Sequence, residues 1–255
     1  MNTTLPTTER LRPALDRGVA MTLARTEYDR MADVLAGLGP DDWSLPTPCP
    51  AWDVRELGCH MVGMAKMASS PLESNRQMKK ARADAAAAGT DELTALTGLQ
   101  VSERSEWTPT DVVSGARAIA GRAARGRRMT PGFVRRRALP GAQDVGGRLE
   151  EWTIGFLIDT ILTRDPWMHR MDLATATGRP PLLTAEHDGV LVADVVAEWA
   201  GRHGAAYELD LGGPAGGSWR RGSGGERISM DAVDFCRAVS GRGPAEGLLA
   251  VAVPF

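Results

Sequence analysis

Apolar and polar positions along the chain divide it into a few long helical patterns followed by a mixed segment. From about Pro13 to Leu38, Leu15, Val19, Leu23, Thr26, Arg30 and Val34 fall near one side of a 3.6-residue repeat, and Gly37, Gly39 and Pro40 end the run. A second pattern opens at Asp53, where Asp53 and Glu56 have the form of a capping box and Val54, Leu57, Met61, Met64 and Ala68 make an inward stripe. A third follows Thr108 or Thr110 as cap, with Val112, Ala116, Ile119 and Ala123 inward. The fourth runs from Arg148 to Pro181. With no strand candidate between them, four such helices predict an antiparallel bundle. The polar, Ala-rich stretch from Pro71 to Gly89 reads as a solvated helix or a mobile excursion without assignable chemistry.

After Gly178-Arg179-Pro180-Pro181 the pattern changes. Thr184 opens a fifth helix, Tyr207, Leu209 and Leu211 alternate as a strand, and Ser218-Trp219-Arg220 opens a second strand. Ser229 reads as the cap of a short helix, and the apolar tail GLLAVAVPF reads as a buried final strand. The expected fold class is therefore mainly α: a four-helix bundle over residues 1–180 and a small α/β domain over 181–255.

Composition narrows the function classes. The formal net charge is −2, which argues against nucleic acid as the main partner. No apolar run reaches the roughly 18 residues a membrane span needs, and MNTTLPTTERLRPALDRG lacks the basic-then-apolar layout of a secretory signal. Cys49, Cys59 and Cys236 cannot all pair and form no CxxC, so a reduced, cytoplasmic protein, monomer or homodimer, is the simplest account. Arg122, Arg125, Arg127 and Arg128 complement the C-terminus of the third helix, the simpler reading, and with Arg135-Arg136-Arg137 they make seven arginines between 122 and 137 that could instead bind an anion.

The candidate chemistry lies in TRDPWMHRMD. Asp165 and His169 stand one helical turn apart, on the side shared by Ile158, Leu162, Leu173 and Ala176. A carboxylate and an imidazole so spaced can hold one divalent metal. The same residues also read as a helix start, with Asp165 as N-cap and Pro166 at the first helical position. His60 falls at the edge of the second helix's apolar stripe, as a core histidine or as a ligand; its neighbour Cys59 points about 100° away. The loop DDWSLPTPCPAWD carries three prolines in five positions, a rigid connection that positions Trp43, Cys49 or Trp52 against something. Cys49 reads as a small buried residue before it reads as a nucleophile. His187 and His203 read as surface residues without a role.

Together, TPCPAWDVRELGCH, TRDPWMHRMDLATATGRP and DAVDFCRAVSGRGPAEGLLAVAVPF resemble, in this order, the actinobacterial mycothiol-dependent maleylpyruvate isomerase family of the DinB-like superfamily. The resemblance covers nearly the whole chain. It implies a DinB-like bundle holding a divalent metal, usually zinc, through a His on the second helix and an acidic-x-x-x-His pair on the fourth. The matching positions are His60, Asp165 and His169, with Asp165 where the isomerase has a glutamate one methylene longer.

What the resemblance implies chemically is thiol activation: mycothiol, as a metal-bound thiolate, would add to an electrophilic small molecule. Elimination after bond rotation gives cis–trans isomerisation, and retention of the sulfur gives S-transfer. Arg170, Arg220 and Arg221 are the expected cations for a dicarboxylate substrate, although Arg170 could instead pair with Asp172. A metal-dependent hydrolase on the same scaffold and a non-catalytic metal- or ligand-binding bundle are the alternative readings.

Overall fold

The structure, a computed structural model, describes residues 10–255; Met1 to Glu9, part of the N-terminus read above as free of a secretory signal, lie outside the described residues. The chain forms two compact units, one of residues 18–130 and 162–182 and one of residues up to Arg17, 131–161 and 183–255. No helix among the described residues is long and apolar enough to cross a membrane.

The first unit is the bundle. Its long helices are α1 (Arg17–Ala36), α2 (Val54–Ser69), α3 (Pro71–Ala88), α4 (Glu92–Ser102) and α5 (Pro109–Met129). α6 (Gly132–Arg135) and α7 (Ile154–Phe156) are short pieces of the other unit, and α8 (Leu162–Thr177) completes the bundle. The predicted stripes of α2 and α5 supply Leu57 and Met61, and Val112, Ala116, Ile119 and Ala123, to the core, joined by Leu173 of α8. The α1 stripe is offset from the expected one: Tyr28, Met31 and Leu35 face the core, while Val19 is exposed and Thr26, Arg30 and Val34 are half-buried. Asp53 and Glu56 form the expected capping box on α2, and Thr108, not Thr110, caps α5.

The polar stretch after Pro71 is a helix, α3, closed by Gly89 at φ +67°. α2 and α5 approach so closely at Gly126 that a Cβ there would lie 2.5 Å from the Ser69 carbonyl oxygen. Gly126→Ala is therefore expected to destabilise the protein by about 1–3 kcal/mol, read as a lower urea midpoint at unchanged slope; an unshifted midpoint would contradict the close packing.

The other unit departs from several expectations. The Arg148 end of the fourth helical pattern is a strand. β1 (Gln143–Val145) and β2 (Arg148–Glu150) form an antiparallel hairpin, turned by Gly146 and Gly147 at φ +59° and +83°. Three-residue strands are too short for an alternation pattern to register. Helix begins only at Ile154, where the Thr153 side chain accepts from the Phe156 N–H, and Leu157–Ile161 forms a π-helical turn ahead of α8.

Downstream, a π-helical turn at Ala185–Gly189 leads into α9 (Val190–His203), followed by β3 (Tyr207–Gly212), β4 (Gly217–Arg221), β5 (Glu226–Asp231) and α10 (Ala232–Val239). The sheet order is β4-β3-β5, antiparallel on one side of β3 and parallel on the other. Ser229 is a β5 residue; the α10 cap is Asp231, which accepts from the Val233 N–H. The tail is not a strand: Gly247–Ala250 is a 3-10 turn, and the Val253 N–H donates to Val239 O. An unbroken apolar run does not distinguish a strand from a packed irregular segment. His187 is buried, contrary to its surface assignment, and His203 is half-buried against Trp199 and Tyr207.

Candidate metal centre

α2 carries His60 on its buried face, and α8 carries Asp165, His169 and Asp172 on one side. The Nε2 of His60 lies 3.8 Å from Asp165 Oδ2, and the Nε2 of His169 lies 3.4 Å from Asp165 Oδ1. One donor atom from each of the three residues lies within 4.8 Å of the others. Two ligand atoms about 2.1 Å from one tetrahedral ion stand about 3.4 Å apart, so these separations suit a shared ion. The residues also pass a second test of fit. Asp165 Oδ2 is buried and has no hydrogen-bond partner, an arrangement that is costly for a carboxylate oxygen unless a cation serves it.

Asp165 is not a helix cap, because α8 starts three residues earlier and holds Pro166 in its interior. A proline inside a helix lacks the N–H that would serve the carbonyl four residues back, here that of Leu162. Arg127 of α5 serves it instead. Its Nη1 donates to Leu162 O at 2.8 Å and approaches the Tyr28 hydroxyl at 3.4 Å, while Nη2 donates to Thr163 Oγ1. The buried Arg127 thus keeps helical the turn that brings Asp165 one turn below His169. Among the four arginines read as complementing the α5 dipole, this one serves a neighbouring helix.

Further contacts set the rings. His169 Nδ1 is 3.1 Å from Asp172 Oδ2, and Asp172 is fully buried. A carboxylate accepting from Nδ1–H fixes the tautomer that leaves the Nε2 lone pair facing Asp165 and His60. The proline-rich loop is pinned to itself: the Thr47 N–H donates to Trp52 O, the Trp52 N–H to Cys49 O, and the Val54 N–H to Leu45 O. It delivers two side chains to the site. The Trp52 indole stacks on His60 with centroids 4.8 Å apart and planes 26° apart. The Cys49 thiol lies 3.6 Å from Asp172 Oδ2 and 3.9 Å from His169 Nδ1. Cys59 takes no part, its thiol facing Arg104 O at 3.7 Å.

The electrostatics favour an anionic carboxylate at Asp165. Burial pushes the Asp165 carboxyl up, but the close approach of the His169 and His60 rings outweighs it and holds the group far below the usual range. Burial pushes both imidazoles down. For His60 that effect wins, aided by the nearby His169 charge. For His169, Asp165 first and then Asp172 and Cys49 outweigh it and raise the pKa well above the ordinary value.

Of the three expected cations, Arg170 belongs to the bundle unit and Arg220 and Arg221 to the other unit. Arg170 is buried, with Nε 2.9 Å from Glu27 Oε1, Nη2 3.3 Å from Glu27 Oε2 and Nη1 donating to Leu182 O. Its guanidinium is thus held within the bundle by Glu27 and the Leu182 carbonyl. Arg220 and Arg221 belong to β4 of the other unit, where Arg221 donates to Ala200 O and Arg220 is exposed. Sequence reasoning missed Asp172 and Arg127 as supports of the site. The first was signalled by its i+3 spacing from His169. The second was signalled only indirectly, by a proline inside a helix whose freed carbonyl required a donor.

No curated protein matches the chain. Two solved structures are similar to it. The crystal structure of the mycothiol-dependent maleylpyruvate isomerase is 17% identical, with 90% of each chain covered and a TM-score of 0.55. A histidine-to-alanine mutant of that isomerase is 16% identical at the same coverage and TM-score. At this identity the likeness is one of fold, a DinB-like helical bundle with small sheets in the C-terminal part. The model of the mycothiol maleylpyruvate isomerase N-terminal domain matches residues 24–174, a stretch that contains His60, Asp165 and His169 together with the loop and the arginine that support them. By that match, which spans more than half of its length, the chain belongs to the mycothiol maleylpyruvate isomerase N-terminal domain family.

Proposed function

We propose that this protein is a metal-dependent enzyme that uses mycothiol to attack an electrophilic alkene, in cis–trans isomerisation of the maleylpyruvate kind or in S-transfer. The observation that carries the reading is the convergence of His60, Asp165 and His169 around a buried carboxylate oxygen without a partner, inside the family-matched residues. His60 Nε2, Asp165 and His169 Nε2 would hold the ion. A divalent ion with three N/O protein ligands, zinc foremost, keeps one position open and lowers the pKa of a thiol that reaches it.

The chain's own groups do the rest. Asp172 holds His169 in one tautomer, and the Trp52 ring covers one face of His60 and limits water there. Thiol addition converts the double bond to a single bond that rotates; loss of the same thiol returns the trans alkene, and retention leaves an S-conjugate. Arg170 has no part in this reading.

The test is turnover of maleylpyruvate, and of a panel of electrophiles, by the zinc-loaded protein with and without mycothiol. The reading predicts turnover that requires both mycothiol and metal and falls at least about a thousandfold in His60→Ala. Hydrolytic turnover that proceeds without thiol would replace this reading with that of a metal-dependent hydrolase.

A further inference from the structure

A polar pocket of about 430 Å³ lies in the bundle unit between α2, α3, the end of α4 and α5. It is separate from the metal centre: Lys66, on its wall, follows His60 on α2 by six residues, about 9 Å along the helix and about 120° around it. The charges on its wall do not balance. Arg76 takes both carboxylates, with hydrogen bonds of 2.7–2.8 Å to Glu73 and 2.6–2.9 Å to Glu103. Lys66, Arg104 and Arg122 also line the pocket, and among the described residues none of the three has a carboxylate within ion-pair distance.

The arrangement around Arg104 is built rather than incidental. The residue is 3% exposed, its Nη1 donates to Gln100 O at 2.6 Å, and its Nε is buried without a partner. The mid-helix Gly63 makes room for it, because a Cβ there would lie 3.0 Å from Arg104 Nη1 and 2.6 Å from Gln100 Cβ. Lys66 Nζ and the Arg104 guanidinium lie over the same Trp107 ring, at 5.1 and 5.4 Å from its centroid. Burial, and then the charges of Arg104 and Arg122, push the Lys66 pKa down despite Glu73 and Glu103. Cations gathered without matching carboxylates destabilise one another, and an oxyanion relieves that repulsion with charge-assisted hydrogen bonds.

We propose that this pocket binds a small dianionic oxyanion, of the phosphate or dicarboxylate class, through Lys66, Arg104 and Arg122. The site is independent of the thiol chemistry assigned to the metal centre.

Calorimetric titration of the full chain with inorganic phosphate, and separately with succinate, at matched ionic strength tests it. Saturable binding of one anion per chain is expected, weakened about tenfold by Lys66→Gln or by Arg122→Gln. Arg117→Gln, an exposed α5 change, and Asp165→Asn should leave it unchanged. Phosphate alone, succinate alone or both giving this pattern supports the site and selects the ligand class. A non-saturating response, affinities equal in wild type, Lys66→Gln and Arg122→Gln, or binding lost only in Asp165→Asn would overturn it.

Discussion

Asp165→Asn is expected to lower zinc affinity by about a thousandfold, and Asp172→Asn by only about 10–100-fold. The first change keeps the shape of the side chain but removes the negative charge shared between His60 and His169. One of three protein ligands carries roughly a third of a binding free energy on the order of 12 kcal/mol, about 4 kcal/mol, or about a thousandfold. Asp172 acts through His169 Nδ1, and removal of such a support usually costs the smaller factor. Competition with a chromogenic chelator separates the two, and both variants should keep the wild-type helical signal. Equal losses in the two variants would mean that Asp165 is not a ligand. A larger loss in Asp172→Asn would point to the alternative cluster of Cys49, His169 and Asp172 as the place where metal binds.

Arg127→Met is the second change with a large expected effect. Arg127 is almost completely buried and supplies the donor that Pro166 cannot give to the Leu162 carbonyl. Methionine fills much of the volume but leaves that buried oxygen and Thr163 without their donor, at a cost of about 2–3 kcal/mol. The double variant Arg127→Met/Pro166→Ala restores an N–H to the helix at position 166 and should recover a large part of the loss. Urea unfolding of the wild type, the two single variants and the double variant reads the coupling. If Pro166→Ala recovers nothing, the guanidinium stabilises the bundle by some means other than serving this carbonyl. Because the turn between Leu162 and Asp165 positions the carboxylate, Arg127→Met should also weaken zinc binding by about tenfold, while Gly126→Ala should destabilise the bundle without doing so.

The sequence disclosed the bundle and the candidate ligands through short-range spacing. The stripes of α2 and α5 follow the helical repeat, the capping box at Asp53 marks the α2 start, and Asp165 and His169 stand at i and i+4. What it did not disclose depends on contacts between distant residues. Whether Asp165 was cap or helix interior turned on a donor 35 positions from the carbonyl it serves. The same holds for Arg170, whose partner Glu27 is 143 positions away. Cys49 looked like packing because nothing near it in sequence shows that Asp172 and His169 fold against it. In the other unit, the β1–β2 hairpin is too short to show alternation, and the apolar tail carries no mark of whether a sheet edge is available to it.

The most direct measurement is the metal content of the purified, dialysed protein, for wild type beside Asp165→Ala and His169→Ala. The account predicts about one divalent ion, zinc foremost, per chain in the wild type and close to none in either variant. Metal retained in Asp165→Ala, or a wild type that takes up none after reconstitution with zinc, would contradict it.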